Sequence, residues 1–336
     1  LTDKSKLSKT IAYSQMSNSR SSQGYKRFYP ILKWIFSGLS VYFFIIQVKG
    51  LEENFFSNLS VVFAENKLLV ILTLILAFLN WTGESLKFSL LIKSEIVLKR
   101  FKALLIIFSG MAISNFTPAR TGEYIGRGLM LKMVHPLKLV VATITGNITQ
   151  VMMTYGLGLL SIGYLTLFTD FAGVQQGREL IFVAVAFALV IVAILSANRW
   201  ISFLKKRLPD ALARPLRLIK NYDRSLFSKV LGLAFLRYLS FSIQFFLLLQ
   251  IFSGFQLSIG AIVLIPSAYL LQSIVPVPAI TDIGVRVAVS QFLFGDTLSN
   301  QVILQAVSTL WFTNLIIPGI IGTLYIIFSN LKERWY

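Results

Sequence analysis

The chain has 336 residues, of which 55% are hydrophobic and only 14% charged, and its mean hydropathy is +0.72. Soluble domains are about 25% charged, so a soluble globular fold is excluded, and several apolar runs reach the length of a membrane span. The absence of cysteine removes disulfide and thiol chemistry, and the one histidine, His135, cannot build a His-based metal site. The net charge of +18 sits in loops beside apolar runs, as the positive-inside rule requires; neither a nucleic-acid partner nor a cofactor is expected.

Residues 1–28 are polar, basic and serine-rich, which predicts a cytoplasmic tail without a cleavable signal peptide. A first span is expected over 29–48, and an external loop with Glu52, Glu53 and Glu65 over 49–67. A second span, 68–92, returns to Lys93, Lys99, Arg100 and Lys102. The run 103–116 is too short to cross before Pro118, and a second helical piece, 121–133, follows at once. We read the pair as a re-entrant hairpin entering from the cytoplasm. Third and fourth spans are expected over 139–168 and 180–198. The segment 199–229 holds nine basic residues against Asp210 and Asp223. It is expected in the cytoplasm, where it offers a surface to anionic lipid.

A fifth span covers 230–252. The run 257–275 then stops at Pro276 and Pro278, and the piece 281–294 follows as a second hairpin, entering from outside. A sixth span, 301–329, leads to a cytoplasmic C-terminus at 331–336. The expected fold is an all-α polytopic membrane protein, with about six full spans plus two re-entrant helical hairpins.

The halves 29–168 and 169–330 carry a duplicated motif. Ser114, Glu123 and Arg127 recur as Ser273, Asp282 and Arg286, at an offset of 159 residues. In the span after each hairpin, Ala142, Thr145, Thr149, Gln150 and Gly158 match Ala306, Thr309, Thr313, Asn314 and Gly322, at an offset of 164. Each half holds three crossings, an odd number, so the second repeat is expected upside down relative to the first.

Glu84, Glu123 and Asp282 are the only acidic residues expected inside membrane segments, where charge is costly and marks function by default. Glu84 lies beside Lys87 near the end of a span, and the two are expected to form an interfacial pair that snorkels to water; Arg237 is expected to do the same. Glu123–Arg127 and Asp282–Arg286 stack on helix faces at four-residue spacing. Each is either a structural staple or, with Arg120, part of a phosphate site at the meeting of two hairpin tips. Pro118, Pro276 and Pro278 would be hinges near the midplane. Gln150 and Asn314, at equivalent repeat positions, are cavity candidates; Asn147, Gln244 and Gln272 suit interhelical hydrogen bonds.

The segment Ser114-Asn-Phe-Thr-Pro-Ala-Arg-Thr-Gly-Glu123-Tyr with Arg127, and the later Pro276-Val-Pro278 with Gly284-Val285, resembles the lysylphosphatidylglycerol synthase transmembrane-region, or flippase-like, family. That family includes the membrane half of bacterial multiple peptide resistance factors. The resemblance covers about residues 29–328. The family commonly has glycine and glutamate where this chain has Thr281 and Asp282. It implies a bacterial inner-membrane domain that moves a phospholipid or lipid-linked substrate between leaflets. The lysine-transferring domain of the synthases is not expected in a chain that stops at Tyr336, so this chain is expected to be a transporter and not an enzyme. Two other classes remain open: a membrane-embedded lipid-modifying enzyme, although no D-x-D occurs, and a non-transporting partner subunit. Self-association is also left open.

Overall fold

A computed structural model describes residues 55–117, 120–131, 133–168, 223–274 and 282–329. The expected tail, the first and fourth spans, most of the basic segment, the three hinge prolines and the C-terminus lie outside the described residues. Within them the protein is helical throughout: α1 (Phe55–Glu65), α2 (Lys67–Leu91), α3 (Arg100–Ser114), α4 (Gly122–Met130), α5 (Pro136–Phe168) and α6 (Arg224–Ser253). A short 3-10 turn, Ile259–Val263, leads into α7 (Leu264–Ile274), followed by α8 (Asp282–Phe294), α9 (Asn300–Trp311) and α10 (Ile317–Phe328). Helices α2, α5, α6 and the continuous α9–α10 rod are each long and apolar enough to cross a membrane.

Helix α2 shows why its sequence suits a bilayer. Thr73, Ala77, Asn80, Glu84 and Lys87 recur every three or four residues and are all buried. On the opposite side, Leu68, Ile71, Leu72, Ile75 and Leu79 are exposed. A polar stripe inside and an apolar stripe outside reverses the pattern of a soluble helix and suits a lipid surround.

The ends of α6 follow from local chemistry. The Asp223 carboxylate caps the first turn, accepting from the Leu226 N–H at 2.7 Å, and Gly254 ends the helix at φ 64°. This early start makes Arg224 and Lys229 helical, where a loop was expected. The sequence reading also missed α1, which occupies part of the expected external loop 49–67. In the last span, Pro318 lacks an N–H and would crowd the carbonyl four residues back. Five residues, Phe312–Ile316, accommodate this as a π turn between α9 and α10.

Small residues let the helices approach closely. Helix α4 runs antiparallel to α3, and a Cβ at Gly126 would lie 2.3 Å from the Ser109 carbonyl oxygen. On another side of α3, a Cβ at Gly322 of α10 would lie 1.9 Å from the Phe108 oxygen. Gly158 of α5 sits the same way on α7, where its Cβ would meet Leu270 Cβ at 2.5 Å and the Pro266 oxygen at 3.0 Å. Helices α2 and α6 also pack together. Two apolar clusters fill the interior. One gathers Phe88, Ile106, Ile107 and Ile113 with Ile326 of α10; the other gathers Phe245, Leu249, Ile265, Phe294 and Ile303.

Candidate functional site

Burying the polar stripe of α2 brings Glu84 among three cations. Its carboxylate meets Lys87 Nζ at 2.8 Å, Arg127 Nη2 at 3.2 Å and Arg237 Nη1 at 2.5 Å. Lys87 has 1% of its side chain exposed and Glu84 6%, so the expected snorkelling pair is instead a buried one. The reason is facing: Lys87 points at α5, where Nζ also donates to the Gly146 carbonyl at 2.9 Å. Arg237 likewise does not reach for water. It crosses onto α2, donating from Nε to the Asn80 carbonyl at 3.0 Å and from Nη1 to Gln150 Oε1 at 3.1 Å. Gly83 makes room for it, since a Cβ there would lie 2.6 Å from Arg237 Cγ.

The first motif continues this network. Arg127 Nη2 also meets Glu123 Oε2 at 3.0 Å, as its spacing predicts, and Nη1 donates to Thr143 Oγ1 at 3.2 Å. Its guanidinium lies 4.8 Å from the centre of the Phe88 ring. Glu123 also holds Arg120 Nε at 3.0 Å, and the Arg120 side chain is 49% exposed. Arg120 has φ 57°, a left-handed conformation that costs a non-glycine residue about 1–2 kcal/mol; Met111 Sδ accepts from its Nη2 at 2.9 Å. In the second motif, Arg286 Nε donates to Asp282 Oδ2 at 2.6 Å, again at four-residue spacing.

These elements enclose a cavity of about 440 Å³, within the usual range for small-molecule sites. Arg120, Arg237, Asp282 and Arg286 line it together with the amides of Asn80, Gln150, Gln272 and Asn314. Trp81, Tyr238, Phe241, Tyr269 and Trp311 form its aromatic side. Asn314, on the π turn, joins three helices: it accepts from Asn80 Nδ2 at 3.0 Å and donates to Gln244 Oε1 at 2.8 Å.

Both copies of the motif therefore reach one cavity, but not through equivalent residues. Asp282, Arg286, Gln150 and Asn314 line it. Glu123 and Arg127 do not; they are buried behind the wall, and Arg120 takes their place. Asn147 lies outside the lining. Sequence reasoning placed Arg237, Asn80 and Trp81 elsewhere or passed them over. For Asn80 the available signal was the run of polar residues at helical spacing on α2, which marks a polar face but not what it meets.

A larger cavity, about 680 Å³, lies at the end of α2 and the starts of α5 and α6, lined by Lys93, Lys138 and Lys229 with Glu95 and Asp223. None of the repeated motif residues reaches it, and Lys138 is paired with Glu95. Among the described residues, no group of three or more His, Cys, Asp or Glu side chains could hold a metal ion. The wall of the smaller cavity instead has three guanidinium groups against one carboxylate, so it suits an anion. No family model matches this chain, and no curated protein matches it either.

Proposed function

We propose that the protein is an integral membrane transporter that moves anionic, phosphate-bearing lipids between leaflets, with the 440 Å³ cavity receiving the headgroup. One observation carries this reading: Arg120, Arg237 and Arg286 converge on a cavity in which, among the described residues, Asp282 is the one carboxylate. Guanidinium groups grip phosphate oxygens in pairs. The aromatic side accepts the apolar part of a lipid, and the exposed apolar stripe of α2 puts acyl chains within reach.

In this reading the chain has six crossings, and α3–α4 and α7–α8 are re-entrant hairpins related by an inverted repeat. The packing supports it. The hairpin helix α3 rests on the long α10 through Gly322, and α7 rests on α5 through Gly158, two glycines at equivalent repeat positions. The equivalent long helices α2 and α6 pack on each other. Such a pair of hairpins opens a site to either face in turn. The resemblance to the flippase-like family agrees with this. The termini and the basic segment 199–229 would face the cytoplasm of a bacterial inner membrane, with anionic lipid against the lysines.

The test is lipid flux in proteoliposomes carrying a fluorescent anionic phospholipid, with a membrane-impermeant quencher outside. The protein should render inner-leaflet probe quenchable, and Arg286→Ala should abolish this while the chain stays folded. Quenching no faster than in protein-free vesicles would refute the reading.

A further inference from the structure

We infer that the cavity takes a phosphate monoester, carrying two negative charges, in preference to a phosphodiester; this rests on reading the cavity as an anionic-headgroup site. Charge is the first reason. The ion pairs around the cavity gather Lys87, Arg120, Arg127, Arg237 and Arg286 against Glu84, Glu123 and Asp282. Five cations against three carboxylates leave two positive charges without a counter-charge among the described residues. The deeply buried Lys87, Arg127, Glu84 and Glu123, each at most 6% exposed, balance one another, and Arg286 balances Asp282, so the surplus falls on Arg120 and Arg237, both in the cavity wall. A phosphodiester supplies one negative charge and leaves one cation unbalanced. A monoester at neutral pH supplies nearly two.

Oxygen count is the second reason. A terminal monoester phosphate offers three free oxygens and a diester two. The cavity offers three guanidinium forks from three separate elements: Arg120 from the turn before α4, Arg237 from α6 and Arg286 from α8. All three forks are already held, Arg120 by Glu123, Arg237 by Asn80 and Glu84, and Arg286 by Asp282. Little ordering is left for the ligand to induce. The same dianionic group exists on a lipid such as phosphatidic acid and as free inorganic phosphate.

The experiment compares flux of fluorescent phosphatidic acid and of phosphatidylglycerol with the same chains, using the full-length protein in proteoliposomes at neutral pH. Phosphatidic acid should move at least about tenfold faster, the effect of one more charge-assisted contact. Arg120→Gln, which lowers the surplus to one charge, should shrink that ratio to about threefold or less. Equal rates for the two lipids overturn the inference and leave the transport reading standing. If neither lipid moves, the transport reading falls. The inference then survives only if inorganic phosphate raises the unfolding temperature of the solubilised chain more than dimethyl phosphate does at equal concentration; otherwise it falls too.

Discussion

Replacing Glu84 by glutamine separates two accounts of the same carboxylate. An exposed Glu–Lys pair on a helix is worth about 0.3–0.5 kcal/mol. Glu84 instead holds three cations within 3.2 Å at 5% exposure, and breaking a buried pair typically costs about 3–5 kcal/mol. The loss is not shared evenly. Arg127 keeps Glu123, and Arg237 keeps Asn80 and Gln150. Among the described residues, Lys87 keeps the Gly146 carbonyl alone. We therefore expect Glu84→Gln to cost about 3 kcal/mol, the low end of that range, most of it from an uncompensated Lys87. Adding Lys87→Met, similar in volume and uncharged, should recover about 1 kcal/mol or more of that loss. Unfolding in mixed micelles, titrated with SDS and followed by tryptophan fluorescence, measures both. A single-variant cost below about 0.5 kcal/mol, or a double variant no more stable than the single, would refute the buried cluster.

Gly83→Ala should push Arg237 off Glu84, because its Cβ would lie 2.6 Å from Arg237 Cγ. Lipid flux should fall about tenfold or more while circular dichroism stays unchanged. Gly322→Ala and Gly158→Ala should each destabilise by about 2 kcal/mol through overpacking. Gly156→Ala, with no neighbour within 4 Å, should be neutral or mildly stabilising; the same SDS titration compares all three. Pro215→Cys, the only cysteine in its chain, should react with an impermeant thiol reagent from the cytoplasmic side alone.

Helix positions were readable because an apolar run bounded by charge has few other outcomes in lipid. The structure begins α2 at Lys67 and ends it at Leu91, within one residue of the sequence reading. The Glu123–Arg127 and Asp282–Arg286 pairs were readable because four-residue spacing is a local property. Glu84 was misjudged because two of its partners, Arg127 and Arg237, are 43 and 153 residues away. No local pattern says whether a polar stripe on an apolar helix faces lipid headgroups or another helix. The hidden position of Arg127 has the same origin: its spacing to Glu123 fixes their contact, but not which side of α4 meets the cavity. Helix α1 was missed because acidic residues were taken to mark a loop. The π turn was within reach, since Pro318 inside an apolar run demands a local adjustment.

The packing of α3 on α10 has a consequence for how the chain is made. The Phe108 backbone waits for Gly322 to cover it, and Asn115 donates to the Leu315 carbonyl at 3.5 Å, 200 residues onward. Asn80 must wait longer still, for Asn314, 234 residues away. At least 200 further residues must be translated before either contact can form. Until then α3 carries a groove that nothing yet occupies, and such nascent intermediates are prone to misassembly. Delay at that stage should therefore fall on the insertion machinery and the proteases that survey it. A chain truncated before residue 300 should be cleared from the membrane, even though every residue of its first hairpin is present.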